Sequence, residues 1–300
     1  MKVLGVGEML WDVFPDQELL GGAALNFCAN LQRFGDAAIL VSGVGKDRRG
    51  ELAREAMTKL NLETSFVQTI DGMPTGVADV AINSEGEPHF AIQRPAAYDR
   101  ITLSQEMFAR VAALQIEWLY FGTLLQMESG IERATHDLVH SLTAVRCFYD
   151  MNLRAGHWNF EFVKRLSRHS SILKLNESEA QTIADLSGVP RSRFSIEAFC
   201  SEWASEHGID VVCVTLGRAG CCVYQEGSVL RVPGYPITLC DTVGSGDAFA
   251  AAFLHGYHRG GPVAKTARFA NALGALVASL PGATPNWELQ ECCELAGPTP

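Results

Sequence analysis

Short apolar, β-rich runs alternate with longer segments of helical periodicity along most of this chain, and that alternation restricts the fold more than any other feature. KVLGVGEML near the N-terminus has the character of a buried strand. AALNFCANLQRFG follows it, with Leu25, Cys28, Ala29 and Leu31 at helical spacing and a stop at Gly35. AAILVSGVG is a second buried strand, and DRRGELAREAMTKLN opens on an acid and continues as helix. EWLYFG, VRCFYD, SSILKLN and DVVCVTLG are further strands. Between them lie the helical segments GIERATHDLVHSL, EFVKRLSRH, ESEAQTIADLSG and IEAFCSEWASEHG. Strands separated by helices favour a mostly parallel sheet with helices on both faces, a three-layer α/β/α arrangement. AFAAAFLHGYHRG and VAKTARFANALGALVASL predict two packed helices near the end.

One region breaks the rhythm. From about Glu63 to Asp99 there is no helical pattern, only alternating strands with turn signals at Asp71-Gly72 and Glu85-Gly86. Together with residues 11–20, the stretch 63–99 is expected to form a small antiparallel sheet. That sheet would be a lid inserted in a single domain spanning residues 1–300. Its edges would carry unpaired backbone groups, so a homodimer through the lid is the assembly it invites.

Composition narrows the function classes. A chain of 300 residues that is 47% hydrophobic can bury a large core without covalent staples. The nine cysteines are scattered and never form C-x-x-C, against a disulfide framework or structural zinc and in favour of buried thiols in a reducing cytoplasm. Glu8 and Asp12 lie where a signal peptide would carry no acids, and no run approaches about 18 apolar residues, so neither export nor a membrane span is expected. The formal charge of −10 disfavours a nucleic-acid partner but not an anionic substrate, since a local site can oppose the global field.

Chemistry concentrates in DTVGSGDAFAAAF, which begins at Asp241. Gly244, Ser245 and Gly246 precede an apolar helix whose first N–H groups are unpaired and carry partial positive charge, which suits an anion. Asp247 would repel a phosphate if binding were the only purpose. It makes sense as a base removing a proton from an attacking hydroxyl while the amides stabilise the transferring group. The alternative is a tight turn with Asp247 as a helix-capping acid. A second stretch, LGGAALNFCANLQRFG, puts Gly21-Gly22 before a helix and Asn26 in its first turn, where an amide can meet hydroxyls. Taken alone, that stretch is better explained as a plain strand-to-helix turn with an exposed Asn. His136 and His140 have the spacing of a solvated helix face rather than a metal site, and no Walker A lysine or Gly-x-Ser-x-Gly elbow is present.

Taken together, Gly-Gly-x-x-x-Asn near the N-terminus and Asp-Thr-x-Gly-x-Gly-Asp-Ala-Phe late in the chain resemble the two signatures of the PfkB, or ribokinase-like, family of sugar and nucleoside kinases. The resemblance extends over essentially the full length. It implies a ribokinase-like fold, with ATP and a small-molecule sugar as partners and Mg2+ as cofactor. It makes Asp247 the catalytic base and Gly244, Ser245 and Gly246 the anion hole. It places Asn176 and Glu179, from NESE, beside the phosphates, with Glu179 reaching magnesium through water, in keeping with the preference of that ion for oxygen ligands and retained waters. It puts Thr215, Gly217, Gly220 and Asn271 at the nucleotide. It suggests Asp241, with the PGAT loop, as a ligand for a monovalent cation such as K+.

On the acceptor side, GE-x-L-x-D-x-x-P with LGGAALN is similar to the fructokinase branch. The resemblance assigns Asp12, Gly22, Asn26, Arg94, Asn152 and Arg154 to the sugar, with Arg94 on the lid. Met151 and Ala155 stand where that branch carries proline, and Tyr98 where it carries a small residue. The expected activity is ATP-dependent phosphorylation of fructose to fructose 6-phosphate. The alternatives are a 2-keto-3-deoxygluconate kinase, a ribokinase, a nucleoside kinase, or an idle sugar sensor of the same fold.

Overall fold

The structure is a computed structural model and describes residues 1–82, 88–142 and 145–297. The strands are β1 (Lys2–Val6), β2 (Leu10–Val13), β3 (Glu18–Gly21), β4 (Ala37–Gly45), β5 (Val67–Ile70), β6 (Gly76–Ile82) and β7 (Pro88–Gln93). They continue with β8 (Trp118–Gly122), β9 (Arg146–Asp150), β10 (Ile172–Asn176), β11 (Val211–Thr215), β12 (Cys221–Gln225) and β13 (Ser228–Val232). The helices are α1 (Ala23–Arg33), α2 (Arg48–Lys59), α3 (Gln105–Leu114), α4 (Thr123–Gln126), α5 (Ser129–Ser141) and α6 (Phe160–Ser167). After them come α7 (Glu177–Leu186), α8 (Ile196–His207), α9 (Ser245–His258), α10 (Val263–Ala278) and α11 (Leu289–Ala296).

Nine strands form the main sheet in the order β13-β12-β11-β10-β9-β8-β1-β4-β5. Neighbours from β5 to β11 are parallel, and β12 and β13 close one edge as an antiparallel hairpin. Side chains alternate across the sheet, as a two-residue period requires. Val3, Leu40, Tyr120, Phe148 and Val211 face the core built by α1, α9 and α10. Leu4, Val41, Phe121, Tyr149 and Val212 face the other core, under α3, α5, α6, α7 and α8. This is the expected three-layer architecture. All nine cysteines are free thiols, and seven are buried. No helix among the described residues is long and apolar enough to cross a membrane.

A second, four-stranded sheet runs in the order β3-β2-β6-β7, with β2 and β6 parallel and the outer pairs antiparallel. Three details differ from the sequence expectation. KVLGVGEML is not one strand: β1 ends at Val6, and after Gly7, Glu8 and Met9 the chain enters the small sheet as β2. Residues 63–99 do not all belong to the small sheet either. β5 is an edge strand of the main sheet, with Val67 opposite Ser42, and the turn at Asp71-Gly72 carries the chain across. An exposed edge strand has the same alternation in either sheet, so local pattern could not assign it. The Glu85-Gly86 signal lies outside the described residues. Finally, α3, α4, α11 and the β12–β13 hairpin carry weaker local patterns and were not expected.

Candidate active site

The C-terminal ends of the parallel strands and the N-termini of α1 and α9 converge beneath the small sheet, where α/β proteins hold ligands. A cavity of about 200 Å³ lies there, lined among others by Glu8, Asp12, Asn26, Asn152, Arg154 and Asp247. Gly22, Gly244 and Gly246 complete the wall. Residues from four separate segments, 8–12, 22–26, 152–154 and 244–247, therefore meet at one point.

Asp247 sits in the first turn of α9 and is only 8% exposed. No side chain caps that helix, and while Ser245 N donates to Thr242 O, the amides of Gly246 and Asp247 remain free for a ligand. This disposes of Asp247 as a simple capping acid. Its Oδ2 accepts from Asn26 Nδ2 at 2.8 Å. Burial pushes the Asp247 carboxyl up to about 6, and the nearby Asp150 adds to this, while Lys174, Asn26 and Arg154 pull it back. Gly244 starts the helix at φ 75°, and a Cβ there would lie 2.2 Å from Ala283 O. Only glycine lets the two loops touch. Gly244→Ala should therefore cost about 1–3 kcal/mol, seen as a lower melting temperature, by forcing the first turn of α9 away from Ala283.

Asp12 comes from β2 and is buried, and its carboxyl is pushed up to about 7, mainly by burial. Arg154 opposes that rise, while Asp247, Asp241 and Glu8 reinforce it. Gly22 has φ 112°, and a Cβ there would meet Glu8 O at 2.4 Å, so the strand-to-helix turn passes close to the cavity wall. Asn152 adopts φ 42°, a left-handed conformation that asparagine tolerates better than most residues. Its Nδ2 and the Oδ1 of Asn26 are buried with no partner among the described residues. Buried amide atoms left unpaired are costly, so two of them lining one cavity are groups that a hydroxylated ligand would satisfy.

Other expected site residues have structural partners. Asn176 and Glu179 form a reciprocal cap on α7: Asn176 Oδ1 accepts from Glu179 N at 2.9 Å, and Glu179 Oε2 accepts from Asn176 N at 2.8 Å. Glu179 Oε1 accepts from Leu153 N at 2.7 Å, which ties α7 to the loop bearing Asn152 and Arg154. Among the described residues no three His, Cys, Asp or Glu side chains are grouped to hold a metal. Asp241 Oδ1 and Oδ2 accept from Val243 N and Gly282 N at 3.0 and 3.2 Å, joining the glycine loop to the PGAT loop. Asn271 donates to Val232 O and Pro233 O, both at 3.1 Å. Thr215, Gly217 and Gly220 follow one another at the β11–β12 turn, beside the end of β10. Ser245 stands at the first position of α9, and its Oγ donates to Thr242 O.

Arg94 departs from expectation. Its guanidinium is held by Asp99 at 2.6 Å and Glu128 at 3.0 Å and does not line the cavity. Two acceptors within ion-pair distance outcompete a neutral hydroxyl for a partly buried guanidinium, so Arg94 fastens the end of β7 to α5. Tyr98 is fully buried and packs against Gly76, and Met151 is buried while Ala155 is exposed, none of the three lining the cavity.

Two features were missed from sequence. Glu8 lines the cavity, and its Oε1 accepts from Ala23 N at 3.2 Å. Behind Asp247, Lys174 Nζ and Asp150 Oδ1 form a buried pair at 2.8 Å, and Tyr120 donates to Asp150 Oδ2 at 3.0 Å. Burial alone would lower the Lys174 ammonium, but Asp150 and Asp247 hold it above its ordinary value. The available signal was a lysine inside the apolar run SSILKLN, since fully buried lysines are rare unless paired.

A model of the pfkB family of carbohydrate kinases matches residues 15–290. The chain belongs to this family. It is thus a carbohydrate kinase, a phosphotransferase acting on a sugar hydroxyl. The kinase is 26% identical over 275 residues to a fructokinase of Escherichia coli, covering 85% of this chain and 84% of that one. It superposes with a TM-score of 0.83 on the fructokinase of Vibrio cholerae O395 in its fructose, ADP and calcium ion bound form, at 21% identity and 99% coverage of each chain. Aminoimidazole riboside kinase from Salmonella enterica, complexed with aminoimidazole riboside and an ATP analog, gives a TM-score of 0.80 at 20% identity, over 99% of this chain and 100% of that one. The ribokinase-like fold is common to these enzymes while the acceptors in their names differ.

Proposed function

We propose that this kinase transfers the γ-phosphoryl group of ATP to a free sugar, with fructose as acceptor and its 6-hydroxyl as the attacking group. The observation that carries this reading is the buried Asp247 carboxylate, oriented by Asn26 and set among uncapped helix amides, at a cavity that also presents Asp12, Asn152 and Arg154. Fructokinases among its relatives support the choice of sugar.

Asp12 and the free amide atoms of Asn26 and Asn152 would bind the sugar hydroxyls. Asp247 would take the hydroxyl proton on a carboxylate oxygen as the sugar oxygen bonds to phosphorus and the bond to the leaving ADP oxygen breaks. The amides of Gly244 to Asp247 would face the charge on the transferring group, so the contribution is positioning and electrostatics more than covalent chemistry. When bound, ATP supplies the phosphoryl group. The first turn of α9 fits its phosphates. Asn176 and Glu179 are engaged with backbone, so they do not fit as direct magnesium ligands and can meet Mg2+ only through water. The small sheet would act as a lid excluding water from the transfer. Pairing of β3 or β7 edges between two chains is the dimer this reading allows. A monovalent cation such as K+ would fall to Asp241 and the PGAT loop, where the Asp241 oxygens already accept from Val243 N and Gly282 N and could meet the ion only with their remaining lone pairs.

ADP release measured over fructose, 2-keto-3-deoxygluconate, ribose and a nucleoside tests the reading. Fructose should give the highest kcat/KM. Preference for another acceptor would reassign the substrate. If none stimulates turnover while one raises the melting temperature, a sugar sensor is the better description. Asp12→Ala should raise the KM for the sugar by about 10- to 100-fold with a smaller change in kcat, because its hydrogen bonds form before the transition state. Since Asp247 acts as a base with its carboxyl near 6, kcat/KM should rise through about pH 6 to a plateau, and an activity highest at pH 5 would contradict the role.

A further inference from the structure

On the opposite side of the main sheet from α9, a cavity of about 480 Å³ opens between α5 and α6. It is larger than the one at Asp247 and shares no lining residue with it. Its floor is apolar, from Phe121 and Leu166, and its rim is cationic. Arg133, Arg165 and Arg168 line it with His136 and His169, against a single carboxylate, Glu132. That carboxylate is already engaged with Arg165 at 3.0 Å, and the nearby Asp137 lies 3.6 Å from His136. Arg133 and Arg168 make no ion pair among the described residues. In a chain of formal charge −10, two unpaired guanidiniums beside one cavity are a local reversal of field.

The histidines are organised. His136 and His140 stack at 4.0 Å, and His169, from beyond α6, meets them edge-on at 5.3 and 5.9 Å. Burial and the two neighbouring imidazoles push His169 down. A buried hydroxyl also faces the space: Thr135 Oγ1 accepts from Gln126 Nε2 at 2.9 Å and so keeps its own proton for an oxygen in the cavity. Gln126 Oε1 is buried and has no partner among the described residues.

We propose that this cavity is a second ligand site, separate from the sugar and ATP sites, that takes a small phosphorylated metabolite, its phosphate on Arg133 and Arg168 and its organic body against Phe121 and Leu166. Planar guanidiniums match the oxygens of a phosphate bidentately, and the volume exceeds what a bare anion fills. The floor reaches the chemistry: Phe121 stacks on Tyr149 at 5.2 Å, and Tyr149 is followed by Asp150, the partner of Lys174.

Phosphoenolpyruvate is a suitable probe, because it carries both a phosphate and a small organic body and is not a kinase acceptor. Calorimetry should show it binding the full chain at millimolar or lower concentration, and Asp247→Asn should bind it equally. Arg133→Ala/Arg168→Ala should weaken that binding by about tenfold or more while leaving the basal kcat and the melting temperature unchanged. Absence of binding to the unaltered protein would overturn the proposal. So would binding that survives the double substitution, or that ATP displaces competitively. Equal affinity for inorganic phosphate would overturn the organic part of the assignment.

Discussion

Asp247→Asn should lose about 100-fold or more in kcat while ATP binding, read by calorimetry, stays near normal. The substitution keeps shape and the contact with Asn26 but removes the acceptor for the hydroxyl proton. The amides of the α9 first turn remain, so the nucleotide keeps its site. Near-normal turnover would remove Asp247 from the role of base. The same variant carries a stability signature of opposite sign. The Asp247 carboxyl stands at about 6 when folded, above its ordinary 3.8. Such a group favours the fold below about pH 4, and the advantage is lost as pH rises through 6. An asparagine has no proton to lose, so Asp247→Asn should melt above the unaltered protein at pH 8 and lose that margin near pH 4. A carboxylate kept charged in a buried site for chemistry costs stability at the pH where it works.

Lys174→Met should destabilise the protein by about 3–5 kcal/mol, because it leaves the Asp150 carboxylate buried without its partner. Chemical unfolding monitored by tryptophan fluorescence measures this. Replacing both members, Lys174→Met with Asp150→Leu, should recover a large part of the loss, since a buried pair often contributes little beyond a packed apolar pair. The double variant then isolates function. Lys174 lies behind Gly246, where an added Cβ would come within 3.3 Å of Nζ, so its charge reaches the first turn of α9. With both charges gone, turnover should remain depressed although the fold is regained. Full activity in the double variant would reduce the pair to a structural role.

The fold was legible because each element carried its own signal. The run 37–45 has a nine-residue apolar pattern and forms β4 over that range. α1 starts after Gly22 and ends at Arg33, just before Gly35, as its punctuation indicates. β5 was misplaced because an edge strand shows the same alternation in whichever sheet it joins. The glycine loop before α9 was legible for a different reason. A glycine-rich turn followed by an acid and an apolar helix is a local arrangement of free amides, and local geometry survives whatever packs around it. Arg94 was misread for the converse reason, since its partners Asp99 and Glu128 outbid a sugar only when the end of β7 is brought against α5.

The chain's own order of residues thus determined the alternation of elements, the glycine-tipped start of α9 and the identity of its acid, because all three depend on neighbours within a few positions. Only the tertiary structure decided that Asn26 holds Asp247 across 221 positions, that Lys174 and Asp150 stand behind it, and that Arg133, Arg168, His136 and His169 share one cavity. Burial and the proximity of distant charges set how strongly Asp247 and Lys174 hold their protons, and those distances come into being only when the sheet brings the strand ends together.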